Sequence, residues 1–166
     1  WIRNAIAENI PYDRFVRDII TATGNVSVNP PAQWYAEVRY LDRYVDDSAQ
    51  LFLGMRIGCA RCHHHPFEKI SQEDYYGIAA FFSRVDRKGG AGVAERRANE
   101  AVFVKPTGQV KHPLTGDIVA PHGLGQTDLD IPSFEDPRHN FVDWMSGPEN
   151  PYFARAFVNR LWGHFF

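Results

Sequence analysis

The chain has 166 residues, 44% of them apolar, which is enough for the core of one ordinary domain and excludes wholesale disorder. Its 18 Lys and Arg against 20 Asp and Glu leave a net charge near −2, so no basic excess draws nucleic acid or an anionic membrane surface. No apolar run approaches the length of a membrane span.

Residues 1 to 10 predict an amphipathic helix through Ile2, Ala5, Ile6 and Asn9. The pattern is already running at Trp1-Ile2-Arg3 and no signal peptide precedes it, which reads as a piece of a longer protein. Pro11 starts a second helix, with Phe15, Val16, Ile19 and Ile20 at helical spacing and Gly24 as its stop. Asn25 to Asn29 reads as a loop; Asn29-Pro30-Pro31 restarts the chain, and Trp34 and Tyr35 offer apolar cover. The clearest helix runs from Leu41 to about Ile57, with Val45, Ala49, Phe52 and Arg56 along one side.

That helix leads into Cys59-Ala60-Arg61-Cys62-His63, followed by His64, His65, Pro66 and Phe67. Cys-x-x-Cys-His is the spacing at which two thiols add across the vinyl groups of a haem, while the next histidine turns its imidazole onto the iron. The two cysteines are the only ones in the chain. Three other uses compete: a redox disulfide, half of a zinc site with His63 or His65, and two unmodified thiols. The first normally sits at a helix start in a βαβ unit, and no second Cys/His pair at finger spacing supports the second. His65 is expected to bond a haem propionate or the backbone and so fix the motif loop.

Beyond the motif, Ser71-Gln72-Glu73-Asp74 resembles a capping box, and Tyr75, Ile78, Ala79 and Phe82 carry a helix to about Arg84. Residues 86 to 100, with Gly89, Gly90 and Gly92 among charges, read as a solvated loop. Residues 101 to 120 read as β-structure: Val102-Phe103-Val104 and Gln109-Val110-Lys111 flank a turn at Pro106-Thr107-Gly108, and Thr115-Gly116-Asp117 precedes Ile118-Val119. A Gly/Pro-rich connection follows, then two helices begun by Asp136-Pro137 and Asn150-Pro151. The expected fold is mainly α with a small β-hairpin insertion, a c-type haem domain over residues 1–130 (helical 1–85, loop and hairpins 86–130) and a helical segment over 131–166.

The runs Gln50 to Gly54, Cys59 to Phe67, Asp74-Tyr75-Tyr76-Gly77 to Phe82, and His112-Pro113-Leu114-Thr115-Gly116 together resemble the planctomycete-type secreted cytochrome c-like domain. Asn150-Pro151-Tyr152-Phe153-Ala154-Arg155 through Asn159-Arg160-Leu161-Trp162 resembles the start of the companion domain that usually follows it. The resemblance implies an exported protein (periplasmic, cell-surface or extracellular) with one covalent haem c, part of a longer multidomain chain. It supplies no substrate.

An iron bound by His63 has a second face. His64, His65 and Met55 are tied to the proximal side, which leaves His112, His122, His139, His164 and Met145. His112, stiffened by Pro113, is the first choice for the distal ligand. A mono-haem electron carrier is favoured, serving a redox partner protein or a neighbouring cytochrome domain of the same parent chain. The alternatives are a peroxidase-like haem enzyme open on the distal side, where His112, His122 or Arg84 could act as acid or base, and a haem-stapled structural subunit. Catalytic residues are unassigned, and homo-oligomerisation is left open.

Overall fold

A computed structural model describes residues 1–89 and 99–166, and it is mainly helical with two small antiparallel sheets. Among the described residues the α-helices include α1 (Ile2–Ala7), α2 (Tyr12–Ile20), α3 (Gln33–Glu37), α4 (Leu41–Ser48), α5 (Gln72–Phe82), α6 (Pro137–Ser146) and α7 (Phe153–Phe165). Among the described residues no helix is long and apolar enough to cross a membrane.

The core forms where α2, α4, α5 and α6 bring their apolar stripes together. Val16 and Ile20 come from α2, Tyr44 and Val45 from α4, Ile78, Phe81 and Phe82 from α5, and Phe141, Val142 and Met145 from α6. Phe82 meets Phe141 edge-on with centroids 5.2 Å apart, an arrangement that ring quadrupoles favour. Three of the fully buried core residues, Phe141, Val142 and Met145, come from α6.

The helix expected from Leu41 to Ile57 is shorter than its apolar pattern. After Ser48 the chain widens into a π turn, Ala49–Leu53, and stops at Gly54, whose φ of +69° is left-handed. A side chain there would be strained by that φ and would press on Ala156 of α7. Residues 55–57 then run without helix, and a single 3-10 turn, Gly58–Arg61, carries the first cysteine.

Two β assignments need correction. Gly24–Asn25 (β1) and Val85–Lys88 (β2), read as a helix stop with its loop and as the start of a glycine-rich loop, are strands that flank Ala101–Val104 (β3) in the order β1-β3-β2. Residues 90–98 of that expected loop lie outside the described residues. With both edges of β3 occupied, the hairpin expected across Pro106–Gly108 cannot form. Val110–Lys111 (β4) pairs instead with Ile118–Val119 (β5), Val110 opposite Val119, around the expected turn at Thr115–Asp117.

The capping box at α5 is realised in full. Ser71 Oγ accepts from the Asp74 N–H (2.9 Å), while Asp74 Oδ2 accepts from the Ser71 N–H (2.7 Å). Asp74 Oδ1 also accepts from the Gly125 N–H at 2.7 Å, which ties the 121–130 connection to the helix start. Burial pushes this carboxyl up, but the hydrogen bonds from Ser71 and Gly125, with His122 nearby, outweigh it and hold the group below its ordinary value. A depressed folded-state pKa contributes stability above the unfolded value, about 3.9, and loses it as pH falls through the folded one. The urea midpoint should therefore fall more steeply between pH 5 and 3 in the unmodified chain than in Asp74→Asn; parallel curves would contradict this.

Candidate functional site

Cys59, Cys62 and His63 lie on one tight turn. The Ala60 N–H donates to Ile57 O (2.8 Å), the Cys62 N–H to Cys59 O (3.2 Å), and Ala60 is completely buried beneath the turn. Burial of Ala60 turns its neighbours outward, and both cysteines are exposed and free. Arg61, between them, pairs with Asp42 of α4.

The turn is clamped from two sides. On one side α4 places the half-buried Asp46 carboxyl beneath Gly58, where a Cβ would come 3.3 Å from Oδ1. Burial raises the Asp46 carboxyl, and the nearby Asp42 adds to the effect. Tyr75 of α5 spans Asp42 O and Asp46 Oδ1, each at 3.4 Å. On the other side Gln72 Nε2 (2.9 Å) and Tyr76 OH (3.1 Å) both donate to Arg61 O. None of Asp46, Gln72, Tyr75 or Tyr76 was picked out in the sequence for this part. The signal available was the clustering of Gln72, Tyr75 and Tyr76 on one face of the first turns of α5, directly after the motif.

The three consecutive histidines differ in which ring nitrogen is free. His63 Nδ1 lies 2.7 Å from His64 O, a carbonyl that only accepts, so Nδ1 carries the proton and Nε2 keeps its lone pair. His64 Nδ1 accepts from the Gln72 N–H at 3.3 Å, which puts the proton on Nε2. His65 Nδ1 accepts from the Glu68 (2.9 Å) and Phe67 (3.3 Å) N–H groups, and its Nε2–H donates to Arg56 O at 3.1 Å. His65 thus ties the backbone before the motif to the backbone after it. Only His63 offers an exposed unprotonated Nε2 with Nδ1–H held by a carbonyl, the state in which imidazole binds a metal.

The residues fit a covalently held haem in their donor chemistry: two free outward thiols, one oriented imidazole, and the Phe67 ring, 91% exposed, on the same loop as flat apolar cover. Among the described residues no group of three or more His, Cys, Asp or Glu side chains is arranged to hold a metal ion.

His112 lies elsewhere, next to α5. It is nearly buried, its ring centroid is 5.9 Å from that of Tyr76, and Tyr76 in turn reaches Arg61 O. Its Nδ1 accepts from the Leu114 N–H (3.3 Å), so Nε2 is protonated and faces Glu73 Oε2 at 3.8 Å. To offer Nε2 to an iron the ring would have to give up both partners. His122 is buried against Gly77, with Nδ1 3.1 Å from Asp128 Oδ1 and from Ala120 O. Met145 is fully buried in the core, whereas His139 and His164 are exposed. Arg84 is engaged with the carbonyls of Ile131, Pro132, Ser133 and Glu135, which shape that connection.

No curated protein and no solved structure matches the chain. A family model does match residues 1–87, over half of the chain's 166 residues, from α1 through the cysteine turn and α5 to β2. The chain belongs to the PSCyt2 family, described as a protein of unknown function (DUF1549).

Proposed function

We propose that the chain is an exported c-type cytochrome module that holds one haem through Cys59 and Cys62, uses His63 as the proximal ligand and passes single electrons to a redox partner protein or a neighbouring domain. The observation that carries this reading is the placement of His63: of three adjacent histidines, the one at the ligand position of Cys-x-x-Cys-His has its Nδ1 against a carbonyl, 2.7 Å from His64 O, while the Nδ1 atoms of the other two face backbone N–H groups. A haem bound here supplies a one-electron ferric/ferrous couple. The chain's own residues do the rest. His64 O fixes the His63 ring, His65 closes the loop around the turn, and Asp42, Gln72 and Tyr76 hold Arg61 so that the thiols keep their spacing.

The distal position has two forms. With His112 as the second ligand, the site is bis-imidazole and of lower potential than a His/Met pair. That form requires His112 to swing away from Leu114 and Glu73. If His112 keeps those partners, the second face stays open and the reading shifts toward binding of a small oxidant. His112→Ala decides between them. A ferric spectrum that turns from low-spin to high-spin, with rapid cyanide binding, assigns the ligand to His112. A spectrum already high-spin in the unmodified protein, and unchanged in the variant, removes the bis-imidazole form and with it electron transfer as the first reading.

A further inference from the structure

We propose that the apolar cavity between α1, α2 and α7 binds an amphipathic monocarboxylate, a molecule with an apolar body and one anionic end. The cavity measures about 800 Å3, within the range of small-molecule sites, roughly 300–1,000 Å3. Phe15, Trp34, Phe52 and Phe157 form its walls. Two of the walls are stiffened by stacking: Trp1 lies on Phe15 at 4.6 Å and Tyr12 on Phe157 at 4.0 Å between centroids. Cys59 and Cys62 do not line it, so the inference stands apart from the haem reading.

Charge selects the ligand class. The charged residues lining the cavity are Arg3 and Arg160, and among the described residues no carboxylate lines it or pairs with either arginine. The Arg160 guanidinium is held at the rim by Leu51 O (2.8 Å) and Gln50 O (3.2 Å), so it meets an anion without having to be ordered first. Apolar walls and two cations without carboxylate partners together describe a site for a fatty-acid-like anion rather than a neutral hydrocarbon.

The test is a titration with decanoate below its micelle concentration, followed by tryptophan fluorescence, with decanol as the neutral comparator. A saturable change is expected, with decanol bound at least about tenfold more weakly, the cost of a lost charge-assisted hydrogen bond. Arg3→Gln, an exposed change that leaves the Arg160 contacts intact, should weaken decanoate and leave decanol unchanged. Leu51→Trp, at a half-exposed wall position, should obstruct both. Absence of saturable binding, equal affinity for acid and alcohol, or binding that survives Leu51→Trp would each overturn the proposal.

Discussion

Arg138→Met is expected to destabilise the chain by about 3–5 kcal/mol, the range for removing one partner of a buried ion pair. Arg138 is fully buried on α6. Its guanidinium grips Asp136 through Nε and Nη2 (2.7 Å for the latter) and donates to Ala22 O (3.0 Å) and Thr21 O (3.3 Å), the free carbonyls past the end of α2. Its charge also sits 5.3 Å from the centre of the Tyr35 ring, whose own hydroxyl donates to Ile20 O. One cation therefore caps α2, anchors the start of α6 and neutralises a carboxylate. The nearby Asp136 and Tyr35 hold the guanidinium protonated despite its burial. Met fills most of the volume, so the loss is electrostatic and not a cavity: the Asp136 carboxylate keeps only the backbone N–H of residue 138, and two carbonyls are left without a donor. Arg138→Lys keeps the charge but not the planar fork, and should fall between the two. Urea unfolding measures the series; an Arg138→Met variant within about 1 kcal/mol of the parent would contradict this account.

If the chain holds the haem proposed above, His63→Ala should leave it attached and remove the imidazole nitrogen from its iron. On that proposal the thioethers would depend on Cys59 and Cys62 and the nitrogen ligand on His63 alone, because His64 and His65 have their Nδ1 atoms occupied by backbone N–H groups. The variant's spectrum should change fully and return toward that of the parent when free imidazole is added. His64→Ala should leave the spectrum as it is. His65→Ala should retain the ligand but loosen residues 56–68, seen as faster amide exchange at Phe67 and Glu68, whose N–H groups it accepts. A parental spectrum in His63→Ala, or its loss in His64→Ala, would move the ligand to another histidine.

Signals in the sequence are legible where the chemistry is local. Ser71 and Asp74 gave α5 its start because the capping box closes within four residues. Asp136-Pro137 placed the start of α6 for the same reason, whereas α7 begins three residues later than its Asn150. The short strands β1 and β2 were missed because Gly24–Asn25 and Val85–Lys88 carry little apolar alternation; they are strands through pairing with β3, distant in sequence from β1. The end of α4 was overrun because the apolar pattern continues past Gly54, where backbone geometry and the approach of Ala156 stop the helix. At the site, the cysteines and the three histidines were legible as a motif. Which histidine has a free Nε2 was not, since that depends on the carbonyl of His64 and the amide of Gln72. Arg138 was invisible for a related reason: its partners Thr21 and Ala22 are more than 100 residues away in the chain.

The central claim is covalent haem at Cys59 and Cys62, and the direct measurement is mass spectrometry after acid–acetone extraction of protein matured in an exporting host that attaches c-type haem. The account predicts that the denatured chain keeps the mass of one haem, and that Cys59→Ala with Cys62→Ala loses all of it. A chain that comes through extraction at the mass of the bare polypeptide, with both thiols still titratable, would contradict it.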